Sequence, residues 1–159
     1  MILPLVMAAT MQAATPTTVT SDQLPNLFIA ACLDGSATSG AATPIGFDAL
    51  PSNLRMSLGK PHKAQVWKIN GLDKAYLYSL SYRERGFSPR ICGVASDNLV
   101  LRPASAAVES RLRGAPSAGT YKPVEWINEA AGYRALATRK GGYTILQVNW
   151  LKEEAARTE

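Results

Sequence analysis

The chain changes its hydrophobic period as it runs. Leu24, Leu27, Phe28, Ala31 and Cys32 recur at i, i+3, i+4, i+7 and i+8, the stripe of an amphipathic helix starting near Ser21 or Asp22 and stopping at Gly35. A second, short helix is expected from about Pro51 to Leu58, with Phe47, Leu50, Leu54 and Leu58 inward and Gly59-Lys60-Pro61 as its stop. From His62 to Ser96 the period falls to two. Ala64 to Asn70, Lys74 to Arg83 and Arg90 to Ser96 are rich in β-branched and aromatic residues, separated by Gly71-Leu72-Asp73 and Gly86-Phe87-Ser88-Pro89. They predict a three-strand meander. In its middle strand Tyr76, Tyr78, Leu80 and Tyr82 share one face, and Ala75, Leu77, Ser79 and Ser81 the other. Cys92 and Val94 point the same way in the third strand, which suits packing of the helix that carries Cys32.

Pro103 then opens a third helix along Ala104, Ala107, Val108, Arg111 and Leu112 to Gly114. Tyr121 to Asn128, Tyr133 to Lys140 and Gly142 to Leu151 predict three more strands, the last two joined by a Gly141-Gly142 hairpin. Pro123 lacks a ladder donor and pushes its strand to an edge. Ser36 to Thr43 and Ala115 to Gly119 read as loops. The order predicts one α+β domain over residues 21–151: an antiparallel sheet of about six strands, in two three-strand meanders, with helices packed on one face. Trp67-Lys68-Ile69-Asn70 before Tyr76 and Trp126-Ile127-Asn128 before Tyr133 hint that helix plus meander is a repeated unit.

Composition narrows the class by exclusion. With 159 residues, 47% hydrophobic and 18% charged, the chain is not a disordered, collagen-like or coiled-coil sequence. No apolar run approaches the roughly 20 residues that cross a bilayer as a helix. Met1 to Ala14 carries no charge and has a short apolar core at Ile2 to Ala9, which reads as a secretory signal peptide; residues 15–20 then form a flexible spacer. Residues 152–159 read as a frayed, charged tail. Ile29-Ala30-Ala31-Cys32 has the outline of a lipid-attachment signal, but Pro25, Asn26 and Asp22 spoil the apolar segment before it. Cys32 is therefore expected inside the fold. It and Cys92 are the only cysteines, and an even count in an exported chain points to one bridge, stabilising by about 4 kcal/mol on the chain-entropy model. In a cytosolic chain the same pair would be two buried thiols. A catalytic dithiol is disfavoured, because redox enzymes use a local Cys-x-x-Cys.

Candidate chemistry is sparse. A single histidine, His62, removes any site built on two histidines, and its neighbours Lys60, Pro61 and Lys63 mark a solvated strand entry. Asp34, Asp48, Asp73, Glu84, Asp97, Glu109, Glu125 and Glu129 are scattered without calcium-loop spacing. No serine sits in G-x-S-x-G or S-x-x-K, and Arg139-Lys140-Gly141-Gly142 lacks phosphate-loop spacing. No catalytic, cofactor or metal residue is assigned. The net charge of +5 could draw acidic polymers, with basic clusters at Lys60, Lys63 and Lys68, at Arg83, Arg85 and Arg90, and at Arg134, Arg139 and Lys140. The candidate binding surface is the meander, through Trp67, Tyr76, Tyr78, Tyr82, Arg83 and Arg85, as an exposed aromatic patch beside cations. Export argues against a nucleic-acid partner.

Phe28 to Cys32, then Gly46-Phe47, Trp67 opening the meander, and Ile91-Cys92-Gly93-Val94 before a short helix resemble small exported bacterial envelope proteins with two cysteines and no assigned activity. The resemblance covers about residues 24–113. It implies a periplasmic or secreted α+β domain and transfers no site residues. The expected function is a non-catalytic exported domain that binds a protein or glycan partner. The alternatives are a periplasmic hydrolase with an unrecognised carboxylate pair, and an inhibitor or immunity protein that plugs a cleft with a loop such as Ser36 to Thr43.

Overall fold

The structure, a computed structural model, describes residues 15–36, 40–83, 90–112, 124–128 and 130–150. The segments read as signal peptide and frayed tail, and Arg85, lie outside the described residues. Among the described residues seven strands make one antiparallel sheet: β1 (Ala42–Ile45), β2 (Lys63–Ile69), β3 (Ala75–Ser81), β4 (Arg90–Ser96), β5 (Val124–Asn128), β6 (Tyr133–Lys140) and β7 (Tyr143–Trp150). Their spatial order is β1-β2-β3-β4-β7-β6-β5. The class is the expected α+β. The additional strand, β1, comes from the end of the segment read as a loop; Pro44 is tolerated because β1 is an edge. At the opposite edge lies β5, the place that Pro123 favours.

Pairing of β4 with β7 joins two meanders, each preceded by a helix: α1 (Leu24–Phe28) and α3 (Leu101–Glu109). Trp67 lies opposite Leu77 in the first meander, and Trp126 lies opposite Ala135 in the second. β1 and the short helix Ser52–Leu58 intervene between α1 and the first meander, so the two halves do not match element for element.

Strand alternation sorts the side chains. Leu77, Cys92, Val94, Ala135, Leu146 and Val148 pack with Leu24, Phe28, Ala104 and Val108 of α1 and α3. On the other face Val66, Tyr76, Tyr78, Leu80 and Ile145 pack with Leu54 and Leu58 of α2 (Ser52–Leu58). The helices therefore cover both faces, where one was expected. The reason is the stripe of rings and aliphatic groups on the second face, whose removal from water requires a cover.

α1 widens into a π-turn at Ile29–Leu33, with the Asp34 amide donating to the Ile29 carbonyl at 2.9 Å. This wider turn brings both Cys32 and Leu33 into the core, a shift beyond the i+7, i+8 stripe. Residues 15–20, expected as a spacer, are tied to the sheet end. The Thr17 amide donates to the Gly40 carbonyl at 2.8 Å and the Val19 amide to the Asn70 carbonyl at 2.9 Å, and Val19 is buried. Unpaired backbone groups beside a sheet end and one apolar side chain are enough to dock them.

The β6–β7 turn has Gly141 at φ 61° and Gly142 at φ 84°, the pair of positive angles that a two-residue hairpin of this twist needs. Asn53 of α2 donates from Nδ2 to the Gly141 carbonyl, tying that helix to the second meander. Asn53→Ala is expected to cost about 0.5–1 kcal/mol, read as a lower urea midpoint at unchanged slope.

Candidate binding groove beside the disulfide

Cys32 of the π-turn and Cys92 of β4 form a disulfide, with Sγ–Sγ 2.02 Å and Cα–Cα 5.4 Å. Both residues are buried. The bond pins the first helix over the middle of the sheet, where α1 rests on β4 and β7 and against α3. A helix this short does not also reach over the outer strands of the first meander. The uncovered part of that face becomes a groove.

The groove has a volume of about 280 Å³. Ala31 and Ser36 wall it on the helix side; Gln65 and Trp67 of β2, Leu77 and Ser79 of β3, and Arg90 and Cys92 of β4 form the floor and far wall. Register fixes the floor in rows. Trp67 and Leu77 lie side by side, then Gln65, Ser79 and Cys92, then Arg90, whose row neighbours Ser81 and Lys63 are not part of the lining. Trp67 is half-buried, whereas Trp126 and Trp150 are 1% and 5% exposed, so Trp67 is the indole within reach of solvent.

The expected surface patch is therefore corrected. Of its members, Trp67 lines the groove. Tyr76 and Tyr78 are buried beneath α2, and Tyr82 is half-buried on the same side. Their phenols have partners there, which makes burial affordable: Tyr78 Oη donates to Gln147 Oε1 at 2.7 Å, and Tyr82 Oη donates to the Leu58 carbonyl. Gln147 Nε2 in turn donates to Asn149 Oδ1 at 2.7 Å. Tyr76 meets Tyr143 edge-on, with centroids 6.3 Å apart. Arg83 is exposed beyond the end of β3, and Arg85 lies outside the described residues. Gln65 and Ser79 escaped the sequence reading, whereas Arg90 stood in one of its basic clusters and Ser36 opened its candidate plugging loop. The signal for Gln65 and Ser79 was the polar run at alternate positions, Lys63 and Gln65 in one strand and Ser79 and Ser81 in the next, on a face otherwise meant for a helix.

Burial pushes the Tyr78 phenol well above its ordinary value, with Tyr82 adding to the shift, and pushes Tyr82 up to about 12. Tyr76 and Tyr143 are raised as well, first by burial and then by neighbours that include Asp97. A phenol whose folded value exceeds the unfolded value of 10.0 contributes stability below pH 10 and loses it as pH climbs to the folded value. Stability should therefore fall between pH 10 and about 12, with part of the phenolate absorbance rising only together with loss of near-ultraviolet circular dichroism. Independent titration of all the tyrosines in the native state would contradict this.

Among the described residues no Asp, Glu or His lines the groove. Asp34 pairs with Arg111, Asp48 with Arg55 at 3.6 Å, and Asp97 with Lys74 at 3.8 Å. His62 is exposed at the entry to β2. Among the described residues no group of three or more His, Cys, Asp or Glu is placed to hold a metal, and no helix is long and apolar enough to cross a membrane. The segment Ser36 to Thr43, considered above as a plugging loop, runs into β1 from Ala42, and its residues 37–39 lie outside the described residues. What the fold and groove define is a disulfide-tethered α+β domain with a cleft of mixed polar and apolar lining that includes Trp67. No protein-family model matches the chain, and comparison with curated proteins and with solved structures returns no match.

Proposed function

We propose that the protein is an exported, non-catalytic domain of the cell envelope that binds a macromolecular partner in the groove beside the Cys32–Cys92 disulfide. The observation that carries this reading is the half-buried Trp67 set among Gln65, Ser79 and Arg90, with no acid or histidine among the described residues that line the groove. Such a lining recognises by stacking and hydrogen bonding and holds no general base. A disulfide is consistent with life outside the reducing cytoplasm, and a net charge of +5 favours acidic partners. Mass spectrometry of the native protein under non-reducing conditions should find an N-terminus beyond the first apolar segment and no alkylatable thiol. Amide and indole NMR shifts on titration with fractionated envelope material should cluster at Gln65, Trp67 and Ser79. Shifts confined to the α2 face, or a retained Met1 with two free thiols, would overturn the reading.

A further inference from the structure

We propose that the Cys32–Cys92 disulfide is a redox latch on the groove, opened in the folded protein by a low-molecular-weight thiol that enters the groove and attacks Cys92; its regulatory consequence rests on the binding function proposed above. The two ends of the bond are unequal. Among the described residues that line the groove, Cys92 is present and Cys32 is not. The π-turn that carries Cys32 packs on β7, whereas the groove extends over β3 and β2, on the other side of β4. A thiolate coming in over Ser79, the residue opposite Cys92 in the ladder, therefore meets Cys92 from the side away from Cys32, the direction that displacement at sulfur needs. A space of about 280 Å³ admits a reagent of a few heavy atoms, and no acid among the described lining residues repels the incoming thiolate. The step is an exchange: the reagent's sulfur bonds to Cys92 Sγ, the Sγ–Sγ bond breaks, and Cys32 leaves as the thiolate with the electron pair. A second thiolate attacks the reagent sulfur of the mixed disulfide and releases Cys92 as its thiolate, so two thiols are oxidised to a disulfide as the bridge is reduced. Both protein thiolates can then take a proton from water. Latching follows from what the bond joins. Ala31, the residue before Cys32, is in one wall and Cys92 is in the floor, so the bridge holds wall to floor. Opening it frees the wall while Leu24 and Phe28 stay in the core. A partner seated in the groove covers the route to Cys92 and holds the wall in place, so by linkage occupancy resists reduction and reduction weakens binding.

The test is the rate at which 2-mercaptoethanol reduces the full protein, read by acid quenching and mass spectrometry, at urea concentrations below the unfolding transition. Attack through the groove gives a rate proportional to thiolate that changes less than about twofold with urea. Reduction that waits for unfolding climbs about tenfold per molar urea, with the unfolded fraction, and would overturn the latch. Peptide mapping of the earliest mixed disulfide should find the reagent on Cys92 and an alkylatable thiol at Cys32. Equal labelling of the two, or label on Cys32 alone, would sink the proposal as well. Ser79→Leu fills the groove beside Cys92 and should slow reduction about tenfold, whereas Lys140→Ala, exposed at the β6–β7 hairpin, should change nothing. The urea profile and the mapping use the parent chain, so they decide the question if Ser79→Leu does not fold. In the reduced protein, amide shifts should move at residues 31–36 and at Trp67 while the α2 face keeps its native dispersion. Wholesale unfolding on reduction would make the bond a staple and overturn the latch. If reduction takes the groove route but envelope material shifts neither Gln65 nor Ser79, the route stands, and the binding function falls with its regulation. If envelope material shifts both and reduction needs unfolding, the latch falls alone.

Discussion

Replacing Cys32 and Cys92 together with alanine is expected to lower stability by about 4 kcal/mol, moving the urea midpoint down by about 2 M. The bond closes a loop between residues 60 apart in sequence, and its loss returns that freedom to the unfolded chain. The effect in the folded state is local. α1 keeps Leu24 and Phe28 in the core, but the π-turn loses its one covalent hold on β4. Since Ala31 of that turn and Ser36 just after it wall the groove, the variant should lose affinity for any groove ligand even below its unfolding midpoint. A drop under about 1 kcal/mol would mean that packing of α1 alone seats the turn, and that the bridge adds nothing to the fold.

The second large effect is expected at Gly93, in the middle of β4. Gly93 is opposite Tyr78 in the ladder, and the tyrosine ring lies across it. A Cβ there would fall 2.5 Å from Tyr78 Oη, 2.6 Å from its Cζ and 2.8 Å from the Leu146 carbonyl oxygen. None of these can give way cheaply. Tyr78 is fully buried and hydrogen-bonded to Gln147, and the carbonyl belongs to the neighbouring strand. Gly93→Ala should therefore destabilise by about 3 kcal/mol, at the upper end for overpacking. Tyr78→Phe in the same chain removes the hydroxyl contact but leaves the other two, so it should recover little. An alanine variant as stable as the parent would show that the ring is free to move, contrary to its burial beneath α2.

These two sites also show what local pattern can and cannot carry. The cysteine pair was legible because Cys32 and Cys92 both fall on apolar, same-face positions of a helix and a strand. The role of Gly93 was not. A glycine inside a strand marks a close approach in general terms, but only the ladder register reveals that the approaching group is the ring of Tyr78. β1 was hidden for a related reason: Ala42-Thr43-Pro44-Ile45 has no strand pattern of its own and becomes one by pairing with Val66 to Ile69. The groove was half legible. Trp67 stood out as an aromatic residue at the start of a meander, whereas Gln65 and Ser79 became site residues only when register placed them side by side.

Period, turn residues and proline positions suffice for the elements, their order and the α+β class, because each reflects contacts between residues close along the chain. They also suffice for the pairing of the two cysteines once export is supposed. The fate of Tyr76 and Tyr78, the second covered face, the docking of residues 15–20 and the seat of the groove depended instead on how far three short helices reach over a seven-stranded sheet. Coverage of that kind is a balance of areas between distant segments. Nothing in the neighbours of a tyrosine says whether a helix or water will lie on its ring.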